Sequence, residues 1–314
     1  MLLPAERGGR DGLLSAAKLH YNRRVHSYDG WLNKGIFGLG LLSVAASLCL
    51  GQQAPSVSGA RILLLPRKIV SGERATLAVL DVAGRLTPGV TVVFSDGEKI
   101  TTDPTGRALF VAPLNPGVLS GVIEGRAGRV TSVILRPEEA PSTTLAVTLA
   151  PRVASLSDRF ELMGNGFCGD ADANHVSIAG LPGLVLAASP ADLTVLPPTE
   201  MDPGPAKVHV SCGGNAAEEF TVVFVSLELE ASNAPLAPGE HRSLAVRVRG
   251  STAKISLEAR NLAPEVAELQ GGSTVRAASS GGADNLARFE VVGKQRGSFM
   301  ISIRLQAPLS KPKP

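Results

Sequence analysis

The sequence predicts an all-β protein built from tandem β-sandwiches. Short runs of alternating apolar residues recur along the chain, and glycine and proline separate them. Alternation at period two is typical of strands with one buried face, and the separating residues are typical of tight turns. The 34 glycines and 22 prolines supply the turns that many short strands need. No segment has the pattern of a long amphipathic helix, so we expect sandwiches joined end to end.

Residues 1–51 form a leader with an export signal. An uncharged run of 15 residues, Ile36–Leu50, follows a segment that contains several basic residues. A membrane-spanning helix needs about 20 apolar residues, whereas the apolar core of a signal peptide needs about 7 to 15. We therefore expect a signal peptide that is cleaved near Gly51. Two alternatives stay open: an uncleaved anchor over residues 36–50 with its basic end in the cytoplasm, and a start codon at Val25 or Leu32.

The charge balance argues against nucleic acid as a partner. Six of the 31 Lys and Arg residues and three of the 28 Asp and Glu residues precede Gln52, so 25 basic and 25 acidic residues remain after the leader. A neutral chain without basic clusters has little to gain from the counterion release that drives nucleic-acid binding.

Aromatic residues are unevenly placed. Tyr21, Tyr28 and Trp31 all lie in the leader, so the chain after it contains neither Trp nor Tyr. These side chains dominate binding hot spots. Sugar binding by ring stacking is therefore disfavoured, while sugar binding through polar loop groups stays open.

The first predicted domain spans residues 59–137, and the chain after the leader has room for about three sandwiches of roughly 100 residues each. Its strand runs are Ile62–Leu65, Ala75–Leu80, Val90–Phe94, Arg107–Val111, Val118–Ile123 and Arg129–Leu135. The segments Pro88-Gly-Val-Thr-Val-Val-Phe94 and Thr102-Asp-Pro-Thr-Gly-Arg-Ala108 resemble bacterial Ig-like domains of the invasin type. In that family the aspartate and glycine form the turn before a strand, so the resemblance implies scaffold chemistry.

The middle predicted domain spans residues 143–225 and follows a polar hinge, Glu138–Ser142. Four segments occur in order: Phe160-Glu-Leu-Met-Gly-Asn-Gly-Phe167, Asn174-His-Val-Ser-Ile-Ala-Gly180, Val185-Leu-Ala-Ala-Ser-Pro190 and Ala206-Lys-Val-His-Val210. Together they resemble the immunoglobulin-like, plexin, transcription-factor domain, the IPT/TIG family. The resemblance implies an Ig-like sandwich that serves as a spacer or binding module, and it implies no particular ligand.

The third predicted domain is an Ig-like sandwich over residues 226–306, and residues 307–314 are predicted as a tail that is frayed over Lys311–Pro314. Its strand runs are Ser243–Val248, Ala253–Leu257, Arg288–Val292 and Phe299–Leu305. The segment Gly239-Glu-His-Arg-Ser-Leu-Ala-Val246 echoes Gly72-Glu-Arg-Ala-Thr-Leu-Ala-Val79 in the first domain. We expect both Gly-Glu turns to lead into strands whose Leu and Val face inward.

Cys168 and Cys212 are the two cysteines that follow the leader, and both lie in the middle domain. In an oxidising compartment a pair confined to one small domain favours a disulfide. Val208, Val210 and Cys212 alternate on the face that should be buried. Two buried free thiols are the alternative, and a reactive nucleophile is disfavoured because no base stands beside either cysteine.

Asp170, Asp172 and Asn174 have the spacing that opens a calcium-binding loop. The rest of that pattern is missing, since His175 stands where the turn glycine belongs and Leu181 where the bidentate glutamate belongs. The residues therefore predict a solvated acidic turn, with weak calcium binding as the alternative. His175 and His209 alternate with buried positions of their strands, so we expect surface histidines there and at His241.

No catalytic motif emerges from the sequence. The chain contains no GxSxG segment, and its scattered carboxylates do not identify a catalytic pair. We expect a non-catalytic bacterial envelope protein without a cofactor, acting as a scaffold or as a protein-interaction module of the adhesion type. The alternative is a carbohydrate-binding or polysaccharide-processing accessory protein. Membrane contact is expected only through the leader, if that is retained.

Overall fold

The computed structural model describes residues 61–139, 144–230 and 235–313. This part of the chain contains 24 β-strands and two short 3-10 helices, Pro137–Glu139 and Ala171–Ala173. The all-β prediction is confirmed. The expected leader and most of the expected hinge lie outside the described residues. Within the described ranges no helix has the length and apolar character needed to cross a membrane.

Two sheets enclose the core of the amino-terminal unit, residues 61–139. One has the strand order β1-β3-β6, and the other has the order β2-β8-β7-β4-β5. Between them lie Leu77, Val92 and the ring pair Phe94 and Phe110, whose centroids are 5.1 Å apart. The strands are β1 (Ile62–Leu64), β2 (Lys68–Val70), β3 (Arg74–Leu80), β4 (Thr91–Phe94), β5 (Lys99–Thr101), β6 (Arg107–Val111), β7 (Gly117–Ile123) and β8 (Arg129–Leu135).

The middle unit, residues 144–225, is also a two-sheet sandwich. The strand Leu181–Ser189 belongs to both sheets, because its first three residues pair with Asn174–Ile178 and its residues from Leu184 onwards pair with Asp192–Leu196. A bulge between Val185 and Ala187 interrupts the second pairing. Phe160 and Phe224 meet edge to face in the core, 5.6 Å between centroids. The strands are β9 (Ala146–Pro151), β10 (Val153–Ser155), β11 (Phe160–Asn165), β12 (Asn174–Ile178), β13 (Leu181–Ser189), β14 (Asp192–Leu196), β15 (Gly204–Cys212), β16 (Asn215–Ala216) and β17 (Phe220–Glu230).

The carboxyl-terminal unit, residues 226–313, packs the sheet β17-β18-β22-β20 against the sheet β21-β19-β23. Val246, Leu257 and Phe289 lie in its core. Strands β18 to β24 are β18 (His241–Arg249), β19 (Ser256–Asn261), β20 (Ala267–Leu269), β21 (Thr274–Ala278), β22 (Leu286–Gly293), β23 (Ile301–Leu305) and β24 (Leu309–Ser310).

The two Gly-Glu turns occupy equivalent places, as their sequence echo predicts. Gly72 and Gly239 have φ values of 73° and 80°, the left-handed region that favours glycine. Each turn opens into a strand, β3 or β18, whose Leu and Val face inward. The shared pattern therefore reflects a shared local structure.

A proline marks the point where the first strand of two units changes sheets. In the amino-terminal unit the chain leaves β1 at Pro66 and enters β2, which pairs in parallel with β8. In the middle unit it leaves β9 at Pro151 and enters β10, which pairs in parallel with β17. Proline has no N–H to donate to a ladder, so it suits a position where pairing with one sheet ends.

The middle and carboxyl-terminal units share strand β17. Residues Phe220–Phe224 of β17 pair with β15 of the middle unit, and residues Ser226–Glu230 of the same strand pair with β18. At this joint Gly250 has φ of 92°, and a Cβ there would lie 2.6 Å from the carbonyl oxygen of Phe224. The continuous strand and this close approach leave no flexible linker between the two units.

The tail has two pairings, and one of them involves Lys313 in the segment that was predicted to fray. Leu309 and Ser310 form β24, which pairs with Pro151 and Ala150 of β9, and Lys313 forms a bridge with Thr221. The tail thus returns from the carboxyl-terminal unit to the middle unit, where the sheet change at Pro151 leaves strand edges without neighbours. Alternation in two residues is too short to predict such a strand.

One predicted strand is displaced. Residues Ala253–Leu257 were expected to form it, but β19 runs from Ser256 to Asn261. The reason is Asn285, whose buried side-chain amide donates to the carbonyls of Ser251 and Ala253, at 2.9 and 2.8 Å, and holds that segment as a turn.

Candidate functional site at the junction of the units

The joint between the amino-terminal and middle units begins with an open strand edge. Strand β1 covers β3 only as far as the pair Leu64 and Ala78, because the chain then turns away at Pro66. The edge of β3 beyond that point is taken by β13 of the middle unit, where Ala188 pairs with Thr76. Filling an open edge in this way satisfies backbone groups that would otherwise need another partner.

Apolar side chains seal this joint beside the strand pairing. Leu64, Ala78 and Leu80 come from the amino-terminal unit, and Leu186 and Ala187 come from β13; all five are buried. They form a small cluster separate from the main cores. Burial of apolar area makes the docked arrangement favourable.

A loop of the middle unit docks on the outer face of β3. The Thr76 hydroxyl donates to the carbonyl oxygen of Gly169 at 2.8 Å and accepts from the N–H of Ala171 at 3.0 Å. A Cβ at Gly169 would collide with the carbonyl oxygen of Arg74, so only glycine permits this approach. The hydroxyl of one β3 residue therefore fixes the position of a loop from the other unit.

Arg107 of β6 forms an ion pair between the two units. Its side chain is only 10% exposed, and Nη2 lies 2.6 Å from Oδ1 of Asp172. Nη1 donates to the carbonyl oxygen of Val185 at 3.1 Å, and Nε donates to the Thr105 hydroxyl at 3.3 Å. All three contacts lie at or beside the joint, so the guanidinium is a bridge between the units.

The docking loop is held from within by a disulfide and by one amide. Cys168 and Cys212 form a disulfide with Cα atoms 5.9 Å apart, as their placement predicts. The Asn174 side chain accepts from the N–H of Cys168 at 3.0 Å and donates to the carbonyls of Cys168 and Asp170, both at 2.8 Å. Asp170 in turn accepts from the N–H of Asp172 at 3.0 Å.

The three calcium candidates therefore serve the turn and the joint. Asp170 caps the short helix, Asp172 pairs with Arg107, and Asn174 binds the backbone. Throughout the part of the chain that the structure describes, no group of three or more His, Cys, Asp and Glu side chains is arranged to hold a metal ion. Weak calcium binding here stays the alternative to the predicted solvated turn.

The three histidines lie apart from the joint contacts. His175 and His241 are exposed, and His209 is half-buried opposite Ser177 in the pairing of β12 with β15. His175 and His241 thus lie at the surface as expected, and His209 is only partly exposed.

A hairpin tip of the middle unit forms another contact of the joint. Strands β13 and β14 meet at Ser189 and Asp192, and the tip rests on the segment that follows Pro66. The Ser189 hydroxyl donates to the carbonyl oxygen of Lys68 at 2.6 Å, and Oδ2 of Asp192 accepts from the N–H of Arg67 at 2.5 Å. Desolvation raises the pKa of the buried Asp192 carboxyl to about 7.

A cleft of about 580 Å³ opens beside this hairpin, and all three units line it. Arg67 comes from the amino-terminal unit, Arg159 and Glu161 from the middle unit, and Gln306 from the carboxyl-terminal unit. Arg67 and Glu161 form an ion pair of 2.7 Å across the cleft wall. The cleft thus offers charged and amide groups to a polar ligand.

The fold and this junction define an all-β protein of two-sheet sandwiches that contact one another directly. No protein-family model matches the chain, and no curated protein matches it. The IPT/TIG and invasin-type assignments therefore remain resemblances of sequence segments.

Among solved structures, the chain is similar to SGBP-B of the Bacteroides ovatus mixed-linkage glucan utilization locus, in complex with a mixed-linkage heptasaccharide. The identity is 12%, the TM-score is 0.32, and the match covers 76% of this chain and 73% of that one. Domains 4 and 5 of the S-layer protein SbsC match at 14% identity and a TM-score of 0.21, over 76% of this chain and 96% of that one. Plexin A4 matches at 9% identity and a TM-score of 0.29, over 81% of this chain and 33% of that one.

Sequence reasoning missed three residues of the joint: Thr76, Arg107 and Asp192. A threonine or arginine on the outer face of a strand, and an aspartate beside a hairpin turn, are ordinary at exposed positions. Their burial depends on a second unit that docks on them. Nothing in the local pattern signals it.

We expect Arg107→Ala to destabilise the joint by about 1 to 3 kcal/mol, because the carbonyl of Val185 loses a buried donor. Urea denaturation of the full chain measures the change. Arg85→Ala is the control, since Arg85 pairs with Asp81 inside one unit and its side chain is 79% exposed. That loss should cost less than about 1 kcal/mol. Equal effects of both substitutions would contradict the bridging role of Arg107.

Reduction of the disulfide should loosen both the middle unit and the joint. The bridge spans a sequence separation of 44 residues. In the chain-entropy model a loop of this size contributes about 4 kcal/mol. Thermal unfolding with and without reductant measures the loss, and hydrogen exchange at Ala171 reports on the docked loop. A Cys168→Ser, Cys212→Ser double variant should not respond to reductant. Two titratable thiols in unfolded, unreduced protein from residue 52 onwards would contradict the bridge.

Proposed function

We propose that the chain is an exported bacterial envelope protein that acts as a stiff, non-catalytic scaffold and presents a protein-interaction surface. The observation that carries this proposal is strand β17, which pairs with β15 in one unit and with β18 in the next. Flexible linkers are rich in glycine, serine and other polar residues and cross between units without pairing. Here the connection is itself a strand of both sandwiches.

The first joint supports the same proposal by different means. It combines a strand pairing, a buried apolar cluster, the Thr76 contacts and the Arg107 bridge. Units that move freely have few buried contacts between them. Extensive contacts between its units suit a protein that holds its ends at a fixed separation.

The disulfide supports an extracytoplasmic location. Structural disulfides form and persist in the periplasm, at the cell surface and in secreted proteins. The basic segment and apolar run of the leader give an independent sequence argument for export. Cleavage near Gly51 or retention as an anchor both place the described residues outside the cytoplasm.

Binding of a polysaccharide by ring stacking is disfavoured, so the proposed class of partner is a protein. The chain from residue 52 onwards has no Trp or Tyr on which sugar rings could stack, although the charged and amide groups of the cleft keep the carbohydrate alternative open. The proposal assigns the protein no catalytic reaction.

Stiffness is tested by measuring a distance between the outer units. With spin labels introduced at Glu98 and Gln295, both exposed, double electron–electron resonance should give one narrow distance distribution. A matched variant with a Gly-Gly-Ser insertion between Val225 and Ser226 breaks β17 and should broaden that distribution. A distribution that is already broad in the unmodified chain would overturn the scaffold proposal.

Ligand class is tested by affinity electrophoresis. We expect no retardation of the chain in gels that contain common polysaccharides, because no aromatic platform is present. If retardation occurs, Arg159→Ala and Gln306→Ala test whether the cleft is responsible, with Arg260→Ala on an outer sheet face as control. A clear shift that the cleft variants abolish would favour the carbohydrate alternative over the protein-interaction proposal.

A further inference from the structure

At the first joint the carboxyl group of Asp192 is buried, and one of its two oxygens has no hydrogen-bond partner among the described residues. Asp192 is only 1% exposed. Oδ2 accepts from the N–H of Arg67, but Oδ1 has no hydrogen-bond partner among the described residues. It is the one buried side-chain nitrogen or oxygen atom of the described chain in that condition. Buried polar atoms are nearly always paired, so this exception needs an explanation.

The charged groups around Asp192 do not supply a counter-ion. From the segment after Pro66, Arg67 contributes an attractive charge, but its guanidinium is paired with Glu161 at 2.7 Å. From β11, Glu161 contributes a repulsive charge. Lys68 is exposed and approaches Asp192 through its backbone N–H, and β13 contributes only the uncharged Ser189. One attractive and one repulsive neighbour leave an ionised carboxyl poorly compensated in a buried site.

The docked amino-terminal unit supplies part of the cover over this carboxyl. Asp192 begins β14 immediately after the two-residue turn of the hairpin, and the segment that covers it, Arg67 and Lys68, belongs to the amino-terminal unit. With the units apart, Arg67 and Lys68 would no longer cover the carboxylate, and water could reach it. Closing the joint therefore removes an acidic group from water, and burying its neutral form costs less free energy than burying its charged form.

We propose that Asp192 is a proton-operated latch between the amino-terminal and middle units, which takes up a proton as the joint closes, so that acid tightens the joint and alkali loosens it. The latch goes beyond the scaffold role and does not depend on it. Since Arg67 and Glu161 also line the cleft, opening the joint would change the shape and charge of that cleft.

The sign of the pH dependence follows from the direction of the shift. The pKa of Asp192 rises from an ordinary value of 3.8 to about 7 in the docked state. The stabilising contribution of the protonated carboxyl is fully present below pH 3.8 and is lost as the pH rises through 7. Between pH 5 and pH 8 the closing equilibrium of the joint should weaken by about 100-fold.

Two measurements on the full chain test the latch. Carboxyl ¹³C NMR of the unmodified protein follows the titration of Asp192 directly. Hydrogen-exchange protection factors follow closing of the joint at two amides, Arg67, which donates to Asp192, and Ala171, which donates to Thr76 elsewhere in the joint. Asp192→Asn keeps the shape and removes the charge, and Asp202→Asn, at an exposed position of the same unit, is the control.

The latch predicts a midpoint near pH 7 for Asp192 and protection factors at both amides that fall about 100-fold between pH 5 and pH 8. Asp192→Asn should keep the pH 5 protection at pH 8, and Asp202→Asn should behave as the unmodified chain. A midpoint near pH 4, or a joint whose protection does not change with pH, overturns the proposal. The NMR titration of the unmodified protein tests the proposal even if Asp192→Asn fails to fold. Stiffness measured at pH 5 tests the scaffold separately.

Discussion

Two open strand edges, one beside β3 and one beside β9, are filled by strands from other units, and much of the described structure depends on these pairings. The chain changes sheets at Pro66 and again at Pro151, and each change shortens the pairing along an edge. At the first edge β13 of the neighbouring unit takes the vacant place beside Thr76, and at the second the tail strand β24 pairs with β9. The sandwiches are thus connected through the backbone groups that their own folding leaves free.

The sequence predicts strands well where alternation is long and bounded by turns. Strands β6 and β8 occur at the predicted residues, and the partner change of β17 falls at Val225, next to the limit assigned to the middle domain. Whether the three units are independent domains stays a prediction. Short edge strands such as β5 and β24 carry too few residues to show a period.

The candidate site was predictable only in part, because its residues gain their roles from another unit. The cysteine pair could be inferred from compartment and count alone. The aspartate at position 172 could bind a metal ion or pair with an arginine, and the local sequence does not distinguish these roles. In the structure Asp172 pairs with Arg107. Burial of Asp192 depends on the segment after Pro66, which lies 125 residues away in the chain. No local window of sequence contains that information.

The return of the tail has a mechanical consequence. Both the strand that enters the carboxyl-terminal unit and the strand that leaves it are anchored on the middle unit, through β17 and through β24 with Lys313. Tension applied between the amino-terminal unit and Lys313 would therefore pass through the middle unit and bypass the carboxyl-terminal unit. That unit would come under load only after the tail strand had peeled away, so it lies beside the line of force, as a side branch held at two points.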